Sequence, residues 1–250
     1  MTVTVVSYGA GTNSTAMLIE LAIRKEKVDL ILFSDTGGER PHTYNYILRF
    51  NAWLKNHGMP EIITVVKGGI QETLEQSCLR MNALPSLAYG YKRCSQKYKI
   101  QPQNKYVNNW APAIEEWCYG HKVVSLIGFD ADEHHRAKIS EDKKYIYRYP
   151  LVEWDMGRDE CIATIENAGL CLPGKSACFF CPSTKPWEIR QLARQYPDLA
   201  QRALAMEAQA KLTSMKGLGR RFAWRDILSQ QNTIEDEELV PEMTCGCYDG

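Results

Sequence analysis

No stretch of the chain approaches the ~18 consecutive apolar residues of a membrane span. Charge of one sign is also lacking: 30 Lys and Arg balance 30 Asp and Glu. Bulk electrostatics therefore gives no reason to expect sequence-independent nucleic-acid binding, although a local basic patch stays open. Met1 to Ser7 has no basic n-region and runs straight into a strand-like pattern, so a cytoplasmic protein without a secretory signal is expected. Repeats, low-complexity tracts and flexible linkers are missing as well. With 44% hydrophobic and 24% charged residues the chain is neither disordered nor fibrous. Its 250 residues fit one large α/β domain, or one domain with a small appendage.

Cysteine is plentiful, at nine residues, an odd count for a reducing compartment that disfavours structural disulfides. Cys78, Cys94, Cys118 and Cys161 stand alone. Cys171, Cys178, Cys181, Cys245 and Cys247 are crowded late. For Cys78, Cys118 and Cys161 the expectation is a small buried hydrophobe.

The pattern of elements predicts an α/β fold. Thr2 to Ser7, Val28 to Phe33, Ile62 to Val66 and Val123 to Ile127 read as strands, the second so uniformly apolar that burial on both faces is expected. Helical spacing follows Asn13, runs from Pro41 to His57, and recurs around Gln71 to Met81 and Ser95 to Val107. Strands alternating with helices imply a parallel sheet covered on both faces. Beyond about residue 150, Arg158 to Ala168 and Trp187 to Leu212 read as helices around the Cys/Pro/Gly-rich segment Cys171 to Pro186. The expected division is a nucleotide-binding α/β domain at 1–150 and a helical, cysteine-containing subdomain with a tail at 151–250.

In an open parallel sheet, ligands bind at the carboxyl ends of the strands. The first such end is Ser7-Tyr8-Gly9-Ala10-Gly11-Thr12-Asn13-Ser14-Thr15. Its small residues allow close backbone approach, and Ser14 and Thr15 open a helix whose free amides favour phosphate. It lacks Gly-Lys-Ser/Thr and is not a Walker loop. Asp35 ends the second strand on the same rim, where a carboxylate can hold Mg²⁺ or accept from an adenine or ribose group; a turn cap is the ordinary alternative. Arg136 suits an oxyanion through its planar fork, whereas His134 and His135 lack metal-ligand spacing. Lys92, Arg93, Lys97 and Lys99 form a basic cluster around Cys94, open to a polyphosphate or nucleic-acid contact or to an exposed helix face. Lys216, Arg220, Arg221 and Arg225 interleave with Phe222 and Trp224, a pattern open to nucleic-acid contact or to a helix end packing its aromatics inward.

SYGAGTNSTAM (7–17) resembles the S-F-G-G-G-x-Q-S-T loop of the phosphoadenosine phosphosulfate (PAPS) reductase-like branch of the N-type ATP pyrophosphatases. FSDTGGERPHTYNY (33–46), RCSQKYKIQP (93–102), IGFDADEHHRAK (127–138), YPLVEWDMGRDEC (149–161) and PGKSACFFCP (173–182) follow in that branch's order. The resemblance spans roughly residues 3 to 190. It implies an adenine nucleotide alpha-hydrolase-like fold with a five-stranded parallel sheet, and adenylate chemistry serving sulfur transfer. Asn13 departs from the superfamily's Asp, which puts ATP cleavage in question.

Cys178-Phe179-Phe180-Cys181 can chelate one metal, and Cys171 and Cys94 would complete four thiolates, satisfying a [4Fe–4S] cluster or tetrahedral zinc. A redox dithiol is disfavoured because Pro182 and Pro186 intervene before the next helix. This arrangement is similar to the sulfur-modification enzymes of DNA phosphorothioation, which carry an iron–sulfur cluster. The resemblance thus implies an ATP-dependent adenylating sulfurtransferase acting on a nucleic acid or nucleotide, with a sulfur donor as partner and homo-oligomerisation open. One alternative is a PAPS or adenylylsulfate reductase in which Cys245 of Cys245-Gly246-Cys247 attacks sulfur and a thiol-reductant protein releases sulfite. Another is a non-catalytic nucleotide-binding module with a structural metal site.

Overall fold

The computed structural model describes residues 2–68, 72–137, 142–212 and 215–230; Cys245 and Cys247 lie outside them. The chain alternates β1 (Thr4–Tyr8), α1 (Thr12–Ile23), β2 (Leu30–Asp35), α2 (Pro41–Asn56), β3 (Ile62–Val66) and α3 (Leu74–Arg80). Next come α4 (Arg93–Ser95), a wide helical turn at Gln96–Ile100, α5 (Gln101–Asn108), α6 (Ala111–Cys118), β4 (Val123–Ile127) and β5 (Tyr145–Arg148). The remainder is helical: α7 (Pro150–Glu153), α8 (Arg158–Asn167), α9 (Pro186–Gln195), α10 (Pro197–Gln209) and α11 (Trp224–Ser229).

The five strands form one all-parallel sheet in the order β3-β2-β1-β4-β5, as expected. Side chains of β1 and β2 feed two cores, one on each face. On one face Val6, Ile31 and Phe33 meet Met17 and Leu21 of α1, Phe50 of α2, and Cys161 and Ile165 of α8. On the other, Val5, Leu30 and Leu32 meet Val107 of α5 and Ala113 of α6. Burial on both sides explains the unbroken apolar run of β2. A third core joins Leu74 and Cys78 of α3 to Phe179, Phe180 and the buried faces of α9, α10 and α11.

Two helices differ from the sequence reading, each at a proline. The expected single helix from Trp187 to Leu212 is broken into α9 and α10, because Pro197 has no amide to donate and Tyr196 adopts φ −139°, ψ 69°. Pro102 lies in the first turn of α5, and the turn just before it widens. Cys78 and Cys161 are buried as expected, but Cys118 is exposed at the last residue of α6. Trp224 is fully buried in the third core, so it cannot stack on a base, and its aromatic ring packs inward.

A buried carboxylate holds that core's outer segment. Glu207 of α10, only 4% exposed, accepts the backbone N–H of Leu218 (2.6 Å), Trp224 (2.8 Å) and Arg225 (3.2 Å). Gly217 has no room for a side chain there: a Cβ would sit 2.4 Å from Glu207 Oε2 and 2.6 Å from Ala223 Cα. Glu207→Ala strips the buried amides of their acceptor. It should lower stability by roughly 3 kcal/mol, read from the urea midpoint, with Glu207→Gln losing clearly less.

Candidate functional site

The sheet order reverses between β1 and β4, and there the loops after the two strands part. The cleft between them is open, about 720 Å³ counting the solvent at its mouth. Its position depends on Gly128. A Cβ on that residue would lie 2.9 Å from Ser14 Cα and 3.1 Å from Ser14 N, so only glycine lets the loop after β4 rest on the first turn of α1.

The loop after β1 is braced from within. Ser14 Oγ accepts from Gly9 N–H (3.2 Å) and donates to the Gly11 carbonyl (3.2 Å), as does Thr15 Oγ1 (2.9 Å). Thr15 Oγ1 also sits 3.1 Å from the buried Tyr8 hydroxyl. Ala10 takes a left-handed conformation with φ 55° and is fully buried under the turn. Of the expected nucleotide residues, Ser7, Gly9, Gly11, Thr12, Asn13 and Ser14 line the cleft, together with Arg136. Ala10 and Thr15 lie beneath its wall. Asp35 is not among the lining residues; its Oδ1 accepts from Gly37 N–H (2.7 Å) and the Tyr44 hydroxyl (2.9 Å), a turn-capping role.

Asn13 sits at the centre of a charged network. Its Nδ2 donates to Asp130 Oδ2 (2.8 Å) and its Oδ1 accepts from Arg158 Nη1 (3.0 Å). Asp130 also accepts the Glu133 amide (3.0 Å), while Glu133 pairs with Arg136, whose guanidinium lies 4.2 Å over the Phe129 ring. The carboxylates that Asn13 itself does not supply thus arrive from the loop after β4. Lys99 and Lys175 complete the cationic lining. Lys99 belongs to the basic cluster that the sequence offers for polyphosphate contact, whereas Glu133, Arg158 and Lys175 of the lining, and Asp130 behind it, carry no sequence expectation of their own. Each falls inside a segment quoted above, which was the available signal.

Burial, with the Glu133 charge adding to it, holds the Asp130 carboxyl above the ordinary carboxylate range. The folded state therefore keeps that proton more tightly than the unfolded chain. The resulting stabilisation is complete below the ordinary carboxylate pKa and is lost as pH rises through the raised one.

The cysteines divide. Cys94, Cys178 and Cys181 line one small apolar pocket with Thr36, Phe180 and Lys99, and Lys99 lines the first cleft too. Thr36 Oγ1 lies 3.1 Å from Cys178 Sγ, and Ser183 Oγ lies 3.0 Å from Cys181 Sγ. The CxxC segment is pinned to the end of β2 by Phe179 N–H donating to the Gly38 carbonyl (2.7 Å). Cys171 is elsewhere, exposed and 3.8 Å from Arg49 Nη1. Among the described residues no three His, Cys, Asp or Glu side chains form a metal-binding group. As placed, the expected set of Cys94, Cys171, Cys178 and Cys181 does not fit one cluster.

Fold and cleft define an α/β protein with a cleft at its topological switch point lined by Lys99, Arg136, Arg158 and Lys175. No helix among the described residues is long and apolar enough to cross a membrane. No protein-family model and no curated protein matches the chain. Among solved structures it is similar to phosphoadenylyl-sulfate (PAPS) reductase from Candida auris in its phosphate complex. The identity is 15%, the match covers 69% of this chain and 76% of that one, and the TM-score is 0.47.

Two measurements check this geometry. Asp130→Asn should gain stability relative to the natural chain as pH rises from about 4 to 7, compared by urea midpoints. Burial pushes the Cys78 and Cys161 thiols up to about 12. At about pH 8 they should resist iodoacetamide while the exposed Cys118 and Cys171 react, as read by peptide mapping.

Proposed function

We propose that the cleft at the β1/β4 switch point binds the phosphates of an adenine nucleotide, and that the chain uses ATP to transfer sulfur to a nucleotide or nucleic-acid acceptor. The observation that carries this reading is convergence. The braced loop 9–15, the N-terminus of α1, Lys99, Arg136, Arg158 and Lys175 face one cleft, and Lys99 also borders the pocket of Cys94, Cys178 and Cys181. Amides at a helix start and several guanidinium or ammonium groups suit a polyphosphate. The choice of adenine rests on the motif resemblance.

In this reading an acceptor oxygen attacks the α-phosphorus of ATP, the bond to the β-phosphate oxygen breaks, and pyrophosphate leaves. Hydrosulfide then forms the new bond to sulfur as AMP departs with the activated oxygen. Loop amides orient the phosphates, and the cations stabilise charge accumulating on the departing groups. Glu133 lines the cleft and, with phosphate oxygens, is the kind of donor that Mg²⁺ takes, and the ion would offset phosphate charge there; Asp130 is committed behind it to Asn13 and the Glu133 amide. Asp35 is committed to its turn. No step passes through a cysteine-ligated cluster, and Cys245 lies outside the described residues.

Gly11→Val is the clean test of the nucleotide site. A Cβ at Gly11 meets nothing within 4 Å, and its φ of −110° suits any residue, so the variant should fold while its isopropyl group fills the cleft. By calorimetry, ATP and AMP binding should weaken at least 100-fold with an unchanged melting temperature; equal affinity would remove the loop from the site. Pyrophosphate should appear with ATP and acceptor together. Sulfite release from PAPS with a thiol reductant would replace the sulfurtransferase reading by the reductase one.

A further inference from the structure

A second cleft opens beside the first, with Gly174 and Lys175 lining both. Its wall includes Arg40, His42, Trp187, Gln191 and Tyr196. Arg40 is the unusual member. It is the residue before α2, only 3% exposed, and its Nε and Nη2 are buried without a hydrogen-bond partner. A guanidinium stays charged at any physiological pH. Leaving its donors dry and unpaired costs more than leaving a neutral donor so.

The one carboxylate on the same wall, Glu188, makes no hydrogen bond to it. Glu188, which acts on Arg40 most strongly, spends both oxygens on Lys175 Nζ at 2.7 Å, and one also accepts the Lys185 amide at 2.7 Å. His42 shares the wall, its ring nitrogen 3.2 Å from the Lys175 carbonyl, and burial lowers its pKa, so it adds no firm charge. Arg40 and Lys175 against Glu188 leave the wall with one net positive charge. Trp187, Leu172 and Tyr196 give the same cleft an apolar side.

We propose that this second cleft is a binding site for a tetrahedral oxyanion, phosphate or sulfate, held by Arg40, which lines it and is left short of hydrogen-bond partners. The anion is either free or carried on a small organic molecule whose body rests on Trp187 and Tyr196. The site is distinct from the nucleotide cleft and does not depend on that reading, and the shared Gly174–Lys175 wall would place its ligand next to whatever occupies the first cleft.

Calorimetry on the full chain with inorganic phosphate and with phenyl phosphate tests it. Both should bind the Gly11→Val chain as they bind the natural one, and both should bind Arg40→Met at least tenfold more weakly. Gln191→Glu sets a like charge on the wall without touching the buried arginine, and it should weaken binding to a similar degree. It decides the matter if Arg40→Met fails to fold. Tighter binding of phenyl phosphate assigns the cleft to an organic anion; equal binding assigns it to the free ion. Loss of both ligands from Gly11→Val would put them in the nucleotide cleft, and unchanged affinity in folded Arg40→Met or Gln191→Glu would overturn the site, as would no binding to the natural chain.

Discussion

The approach of Gly128 to the first turn of α1 is the contact on which the cleft depends. Parallel strands β1 and β4 are neighbours, and the segments that follow them part beyond their carboxyl ends. Something has to close the gap below the point where they part. A bare Cα does so here, with no atom to spare before the Ser14 backbone. The same contact sets the loop after β4 at a height where Asp130 reaches Asn13. Charge and backbone geometry at the site are therefore consequences of one missing methyl group.

Asn13 illustrates how such a site redistributes chemistry. An aspartate at this place would carry its own negative charge into the cleft. The amide instead joins a carboxylate on one side to a guanidinium on the other, using a donor for Asp130 and an acceptor for Arg158. Neither partner is left bare, and the cleft keeps both signs of charge close together. A polar network of this kind is rigid when satisfied. It holds Arg158, from a helix distant in sequence, against the side of the cleft formed by the loop after β1.

The segment containing Cys178 and Cys181 is organised by packing. Phe179 and Phe180 are fully buried and meet edge-on, with ring centroids 4.7 Å apart. The Phe180 ring fills the space beside Gly38, where a Cβ would lie 2.6 Å from it. These contacts, with the Gly38 carbonyl bond, seat the two thiols below the rim of β2 and near Cys94. Cys171 precedes this anchored stretch and follows α8 towards α2 and Arg49 instead. Spacing along the chain could not separate these two outcomes, because a six-residue interval reaches either place.

Much was legible in the sequence because it is written in local patterns. An apolar run at β2, β-branched strands, helical periodicity and a small-residue turn each specify conformation through neighbours in the chain. They located four of the five strands and the loop that lines the cleft. The fifth, β5, is short, with partly exposed alternating residues, and left only a weak pattern. Asp35 and Arg136 show the limit of such reading. Both stand on the expected rim, yet the Gly37 amide and the Tyr44 hydroxyl hold Asp35 out of the cleft lining, while Arg136 is in it. By itself, then, the sequence determined which elements form and which loop opens the first helix. Tertiary structure alone decided that Asp130, Arg158 and Lys175 complete the site, that Cys171 leaves the other thiols, and that Arg40 is buried unpaired. These depend on distances between residues far apart in the chain, which packing fixes and local periodicity does not encode.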